Sequence, residues 1–117
     1  MYTYRIRPAY GSEQLLVEFV KGVQKDTFLT DLEAALSSMA IKLEKTEDLW
    51  MNDEVLFHFN SSEGKFLLSK NVWDCAYIEA DENQRCINTI DLILRANEHF
   101  KKEEVDFSEF DKKQNRG

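Results

Sequence analysis

The sequence has few of the residues from which catalytic and cofactor sites are usually built. Only four of its 117 residues are glycine and no G-x-x-x-x-G-K motif occurs, which excludes a phosphate-cradling loop. Two cysteines and two histidines are present, but they form no Cys-x-x-Cys pair and match the spacing of no zinc module. We therefore expect no catalytic residue, no bound metal and no cofactor, and a protein that is not an enzyme.

The two cysteines, Cys75 and Cys86, are predicted to lie in a strand and in the following helix, each among apolar residues. In that setting a thiol acts as a small hydrophobic side chain, and a disulfide would be unusual in a reducing compartment. Two reactive alternatives stay open. Cys75 could pair with His58 on a neighbouring strand as nucleophile and base, or both cysteines could join His58 and His99 in a metal cluster.

Long apolar runs and basic patches are also missing. No stretch approaches the roughly 20 apolar residues that a membrane span needs, and residues 1–7 have no apolar core followed by a small-residue cleavage site. The net charge is −7, from 22 acidic and 15 basic residues, and such a surface repels phosphate backbones. We therefore expect a cytoplasmic protein that binds neither membranes nor nucleic acid, and whose charge suits a basic protein partner.

The second half of the chain contains three apolar runs followed by a helical pattern. The runs are residues 55–59, 65–68 and 72–78, with a hairpin turn at residues 60–64. In the first run Val55, Phe57 and Phe59 point toward one face of the sheet. Leu56 and His58 point toward the other. A three-strand meander covered by a helix is predicted, because the helix supplies the apolar stripe that one sheet face must bury.

The helix after the meander is predicted to start beside Asp81, whose side chain would cap it with Gln84 as partner in a capping box. Its inner face is an apolar stripe at helical spacing. The residues of this stripe are Cys86, Ile87, Ile90, Ile93, Leu94, Asn97 and Phe100. Lys101 and Lys102 are expected in the last turn, where cations complement the helix dipole.

The first half of the chain is predicted to form two strands and a helix. Residues 2–7 alternate apolar and polar with the period of a strand, which Pro8 ends. Residues 14–20 fit a strand or a helix, and their shortness and β-branched residues favour a strand. Residues 27–40 carry one apolar stripe at helical spacing. Residues 41–44 fit either a last helical turn or a short strand.

Residues 1–111 are therefore predicted to form a single α+β domain, with an antiparallel sheet of about five strands and two helices packed on one face. The acidic end of this domain would dock through Val105, Phe107 and Phe110. Residues 112–117 are expected to be a frayed tail.

The first candidate binding surface is the loop predicted for residues 44–54, where Trp50 lies among acidic residues. A tryptophan in a loop often fills the core, but aromatic anchors ringed by charge are also how protein interfaces are built. Flanking acids would steer a basic partner. We assign partner binding here to Glu47, Asp48, Trp50, Asp53 and Glu54.

A second acidic group lies where the third strand meets the last helix. It consists of Glu79, Asp81 and Glu82. The alternative role of these carboxylates is only to complement the positive end of the helix dipole.

Four short segments resemble small acidic immunity proteins, which bacteria pair with toxins in contact-dependent growth inhibition and other polymorphic toxin systems. The segments are Asp53-Glu54-Val55, Gly64-Lys65-Phe66, Val72-Trp73-Asp74 and Asn83-Gln84. The resemblance covers roughly the C-terminal two-thirds of the chain. It implies a non-enzymatic protein that forms a tight toxin–antitoxin complex with a toxin domain, often a basic nuclease. The alternative is a small structural or regulatory protein that forms a homodimer through the outward face of the meander.

Overall fold

The computed structural model describes residues 2–9, 13–80 and 82–105. These residues form a seven-stranded sheet and two α-helices, which confirms the predicted α+β class. The strands are β1 (Tyr2–Pro8), β2 (Leu15–Lys21), β3 (Lys42–Leu49), β4 (Glu54–Ser61), β5 (Gly64–Asn71), β6 (Ala76–Glu79) and β7 (Phe100–Lys102). The helices are α1 (Phe28–Ala35) and α2 (Gln84–Ala96), and 3₁₀ turns occupy Leu36–Met39 and Trp50–Asn52.

The strands follow the order β3-β4-β5-β6-β2-β1-β7 across the sheet. All neighbours are antiparallel except β7, which runs parallel to β1. The prediction of about five antiparallel strands is therefore wrong in number and in omitting the parallel pair. The two additional strands, β3 and β7, are the edges of the sheet. Residues 41–44 were left open between a helical turn and a short strand, and Lys42 to Glu44 belong to strand β3.

Both helices cover the same face of the sheet, as predicted. Tyr4 on β1 and Phe19 on β2 lie opposite one another and point to this face. The Tyr4 hydroxyl donates a hydrogen bond of 2.9 Å to Asp91 of α2. The Phe19 ring lies 5.2 Å from that of Phe28 in α1. Fully burying such a side chain contributes about 1.5–3 kcal/mol relative to leaving it exposed.

The other face, which we call the open face, is covered by neither described helix. A row of side chains crosses it, in which each residue lies opposite the next. The row runs from Leu56 on β4 through Ser69, Tyr77 and Glu18 to Arg5 on β1. Polar side chains on this face follow from the alternation of an antiparallel sheet, whose two faces meet different surroundings.

The ambiguous residues 14–20 belong to a strand, which confirms the favoured reading. Val17 and Phe19 are fully buried under the helices, and β2 pairs with both β1 and β6. The helix predicted for residues 27–40 starts at Phe28, changes to a 3₁₀ turn at Leu36 and ends at Ala40, whose φ is 51°.

The strand direction predicted for residues 55–59 is confirmed, with a gradient of burial along it. Phe59 is buried, Phe57 packs against the core from a half-buried position, and Val55 is half-buried. Leu56 and His58 lie on the open face. Burial therefore increases toward the hairpin.

The loop predicted for residues 44–54 is wrong, because most of it belongs to strand β3. The sequence Lys42–Leu49 lacks apolar alternation, since this strand lies at the edge of the sheet and is largely exposed. A bulge between Leu43 and Lys45 interrupts its pairing with β4 and shifts the alternation by one residue.

The end predicted for the last helix is also wrong. The helix ends at Ala96, and Asn97 has an extended backbone with ψ 135°. Phe100 then starts β7 and lies 5.1 Å from the ring of Tyr2, while Lys101 and Lys102 belong to this strand and not to a helical turn. Contact with β1, far away in sequence, ends the helix.

Two further predictions around the third strand are wrong. The strand starts at Ala76, and residues 72–75 form a loop, so Cys75 lies before the strand. The N-cap of α2 is Asn83, and the side chain of Gln84 binds the backbone of Leu15 instead of closing a capping box.

Some sequence predictions lie outside the described residues. They concern the cap Asp81, the docking residues Phe107 and Phe110, and the tail 112–117. Val105 is described and half-buried.

Candidate protein-binding surface

The two acidic groups predicted from the sequence lie at opposite ends of the sheet. Glu54 lies opposite Asn71 at one end. Glu79 lies opposite Leu67, which lies opposite His58, at the other. His58 and Glu54 are four residues apart on β4, or about 14 Å at the strand rise of 3.4 Å per residue. The structure therefore does not bring the two groups together.

Four large apolar side chains are exposed at the Glu54 end of the sheet, and we call this surface the tip. Its members are Trp50, Met51, Val72 and Trp73, with exposed fractions of 73%, 80%, 57% and 66%. Trp50 and Met51 lie in the β3–β4 connection, and the other two lie in the β5–β6 connection. Since β3 and β5 are two strand spacings apart, the connections are separated by about 10 Å.

Trp50 is held by a short 3₁₀ turn and is not part of the core, so the core-filling alternative is wrong. The turn closes with a hydrogen bond from the backbone N–H of Asp53 to the carbonyl of Trp50 at 3.2 Å. Asp53 has a φ of 53°, in the left-handed region that short polar side chains tolerate. The turn therefore holds the backbone from Trp50 to Asp53 in a defined conformation.

Trp73 is presented by a loop with hydrogen bonds on both sides. The Asn71 side chain accepts from the Trp73 backbone N–H at 2.8 Å, and the Asn71 backbone N–H donates to the carbonyl of Cys75 at 3.1 Å. From the loop after β2, Gln24 donates its backbone N–H to Asp74 at 3.0 Å and its side-chain amide to the Asn71 carbonyl at 3.2 Å. These bonds hold the loop against the end of β5 and the loop after β2.

The sequence analysis missed Val72 and Trp73 as surface residues because it placed them in a strand. A signal was available in Asn71 and Asp74, which flank them, since Asn and Asp favour turns and tolerate the left-handed conformation. Asp74 has a φ of 58°.

Acidic side chains surround the tip. Asp48 and Asp53 are exposed on either side of Trp50. Asp74 follows Trp73, and Glu54 accepts a hydrogen bond from the Ser69 hydroxyl at 2.7 Å. Three of the predicted site residues, Asp48, Asp53 and Glu54, therefore share this end of the sheet with Trp50.

Glu47 lies on the open face and not at the tip. It is opposite Leu56, and its Oε1 lies 2.6 Å from Nε2 of His58 and 3.6 Å from Nζ of Lys45. The hydrogen bond with His58, aided by the Lys45 charge, holds the pKa of the Glu47 carboxyl below its ordinary value. Glu47 is therefore engaged within the sheet.

The second acidic group borders a cavity of about 630 Å³ at the hairpin end of the sheet. Glu79 and Glu82 line it on one side, and Lys45, His58 and Lys65 on another. Asp81 lies outside the described residues. The mixed charges around this cavity do not form a uniformly acidic surface.

The nucleophile alternative is excluded by the register of the sheet. His58 lies opposite Leu67 and Leu67 opposite Glu79, whereas Cys75 precedes Ala76 at the other end of β6. Four residues and two strand spacings separate the backbones of Cys75 and His58 by more than about 15 Å.

Both cysteines are free, and their settings differ. Cys86 is fully buried among core residues, as expected, and burial raises the pKa of its thiol. Cys75 is only half-buried and beside Tyr77. In the part of the chain that the structure describes, no three His, Cys, Asp or Glu side chains are grouped to hold a metal ion.

A buried ionic network on the open face was not predicted. Glu18 accepts hydrogen bonds from Arg7 at 2.9 Å and from Arg5, and Arg7 lies over the ring of Tyr77 at 5.5 Å. Burial raises the pKa of Glu18, but the hydrogen bonds and charges of the two arginines outweigh burial and lower the net value. The signal available in the sequence was the alternation Arg5-Ile6-Arg7 in the first predicted strand together with Glu18 in the second.

No protein-family model, curated protein sequence or solved structure matches this chain. Neither described helix is long and apolar enough to cross a membrane.

Proposed function

We propose that this protein is a non-enzymatic binding domain that inhibits a basic partner protein by holding it at the tip. The observation that carries the proposal is the pair Trp50 and Trp73, both largely exposed on loops that hydrogen bonds hold in place. Large exposed aromatic side chains in one patch mark interaction sites more often than single exposed apolar residues do.

The size of the tip suits the centre of an interface. An aromatic side chain of this size buries 150–250 Å² on contact, so two tryptophans supply roughly 400 Å² of the about 800 Å² that each partner of a standard interface buries. Tryptophan is also enriched among the residues that dominate binding energy. The acids around the tip would form the charged rim.

The charge of the chain supports a basic partner. Asp48, Asp53 and Asp74 lie beside the two tryptophans, and the whole chain carries −7. Such a surface accelerates the encounter with a positively charged protein. Together with the resemblance to immunity proteins, this favours a cognate toxin domain of the basic nuclease type as partner. The free thiols suit a cytoplasmic location.

The alternative, a structural or regulatory homodimer formed through the outward face of the meander, has less support. That face carries Glu54, His58 and Ser69 between its apolar residues. A stable homodimer interface is more apolar than the average surface.

The test compares the tagged chain with the double variant W50A/W73A in capture from lysate of the native host. The wild type is expected to retain a basic protein at one-to-one stoichiometry. The double variant should bind the purified partner at least about 100-fold more weakly, since two hot-spot residues are removed. Its free energy of unfolding should stay within about 0.5 kcal/mol of the wild type.

The matched control is Leu92→Ala, which removes an exposed apolar side chain on α2, away from the tip. Its affinity should equal that of the wild type. Charge reversal in D48K/D53K should slow association and weaken its dependence on salt. Equal affinity of W50A/W73A and wild type, or loss of binding only on changing Glu79 and Glu82, would refute the proposal.

A further inference from the structure

Strand β3 presents a long open edge. It has eight residues, Lys42–Leu49, and within the described chain it pairs only with β4. Six of the eight are exposed, including Leu43 at 46%. An edge strand of this length offers unpaired backbone N–H and C=O groups to another strand.

We propose that β3 pairs with β3 of a second copy of this chain, antiparallel, around a two-fold axis between Glu44 and Lys45. In this register Lys42 lies opposite Glu47 of the second copy, Leu43 opposite Thr46, and Glu44 opposite Lys45. The two-fold axis generates each of these pairs twice. Between Lys42 and Glu47 every charged residue meets the opposite charge, which stabilises a strand pair.

In this register the bulge in β3 lets residues that lie opposite one another point to the same face of the sheet. Lys42 pairs with Asn60, and Glu47 with Leu56, and these two β4 residues point to the same face because they are four apart. Lys42 and Glu47 therefore share the open face although five residues separate them. In a regular strand they would point to opposite faces and could not lie opposite one another.

The same argument holds for the next pair. Leu43 lies opposite Phe59 and Thr46 opposite Phe57, so both point to the helix-covered face. Thr46 of the second copy would cover the exposed Leu43, and the reverse would hold by symmetry. The bulge between Leu43 and Lys45 therefore lets opposite residues of the two copies point to the same side on both faces of the sheet.

Two neighbouring registers are disfavoured by charge. Shifting the pairing by two residues in one direction places Glu44 opposite Glu47. Shifting it by two in the other direction places Lys42 opposite Lys45. Like charges directly opposite one another destabilise a strand pair, so charge opposes both of these shifts.

The dimer would leave the tip free. Trp50 follows β3 by one residue, more than five residues from the two-fold axis, so the two tips would lie about 35 Å apart on opposite sides of the axis. The inference is therefore independent of the proposed function, and either can fail alone.

The test is sedimentation equilibrium of the full chain from micromolar to millimolar concentration. The wild type is expected to show a monomer–dimer equilibrium. Lys42→Glu and Glu47→Lys should each weaken dimerisation about tenfold or more, because each places like charges opposite one another twice. An equimolar mixture of the two variants should regain wild-type affinity as a heterodimer. In that heterodimer the two introduced side chains face each other as an opposite-charge pair, and the two native side chains do the same.

The double variant K42E/E47K should dimerise like the wild type, because position 42 of one copy and position 47 of the other again carry opposite charges. Glu33→Lys, an exposed change on α1 with the same change in net charge as Glu47→Lys, is the matched control and should leave dimerisation unchanged. Circular dichroism establishes that each variant is folded.

A monomer at every concentration would overturn the inference, and so would a dimer that the single reversals do not weaken. Failure of the mixture to associate would equally exclude this register. Loss of the dimer in W50A/W73A would show that the tip, and not β3, joins the two copies.

Discussion

At the scale of single residues, Glu18 is a buried carboxylate paired with two arginines. It lies on the open face, which neither described helix covers, and Arg5 and Arg7 donate hydrogen bonds to it. Removing one partner of a buried ionic group leaves uncompensated charge, which costs more than the intact group contributes. The network therefore links β1 and β2 through their side chains on the open face.

Glu18→Gln is expected to lower the free energy of unfolding by about 3 kcal/mol at neutral pH, because Arg5 and Arg7 lose their charged partner. The folded pKa of Glu18 lies below its ordinary value of 4.5. Its contribution is therefore fully present above that value and is lost as the pH falls through the folded pKa. Urea unfolding across this range should show the gap between wild type and variant narrowing at acid pH.

The exposed carboxylate of Glu33 provides the control for this prediction. Glu33→Gln should change stability little at any pH. A gap between wild type and E18Q that is constant with pH would contradict the lowered pKa.

Phe59 and Phe57 point to the same face but are buried to different extents. Phe59→Ala is expected to cost about 3–5 kcal/mol, because the ring is buried and stacks on Phe66 at 5.2 Å. Phe57→Ala should cost less than Phe59→Ala, since its side chain is only half-buried. Equilibrium unfolding in urea measures both, and a larger loss in Phe57→Ala would contradict the gradient of burial along β4.

At the scale of elements, the β4–β5 hairpin depends on one glycine. Gly64 follows a two-residue turn and has a φ of 101°, which other residues rarely adopt. A Cβ there would lie 2.6 Å from Nδ2 of Asn83, whose amide donates a hydrogen bond of 3.0 Å to the carbonyl of Lys65. The turn and the start of α2 are therefore built against each other.

Gly64→Ala is expected to destabilise the protein by about 1–3 kcal/mol through backbone strain and displacement of the Asn83 side chain. The double variant G64A/N83A separates the two causes, since it removes the collision and leaves the strain. Its loss relative to N83A alone should be smaller than that of G64A relative to wild type. Thermal and urea unfolding provide the values, and equal losses would show that strain acts alone.

At the scale of the whole molecule, the sheet separates three kinds of surface. One face carries the helices and the core, the open face carries the Arg5–Glu18–Arg7 network, and the tip carries exposed tryptophans among acids. None of the four tip residues belongs to the hydrophobic core, so a partner held at the tip, as proposed, would leave the core intact.

The fold class and most strands could be predicted from sequence because their signals are local. Apolar alternation in Tyr2–Pro8 and in residues 55–59, and the helical stripe from Cys86 to Leu94, follow from the geometry of strand and helix. The edges could not be predicted in this way. Strand β3 has no apolar alternation, and β7 exists because Phe100 packs on Tyr2, which is distant in sequence.

The residues of the candidate site could likewise be predicted only in part. Trp50 and its acids were singled out from composition. The structure places Glu47 on the open face and exposes Trp73, which the sequence had placed in a strand. By itself the sequence determined which residues are apolar, acidic or turn-forming, because those are properties of each side chain and its neighbours. Only the tertiary structure decided that Trp50 and Trp73 share the tip and that Glu79 does not, because strand order and register result from long-range burial.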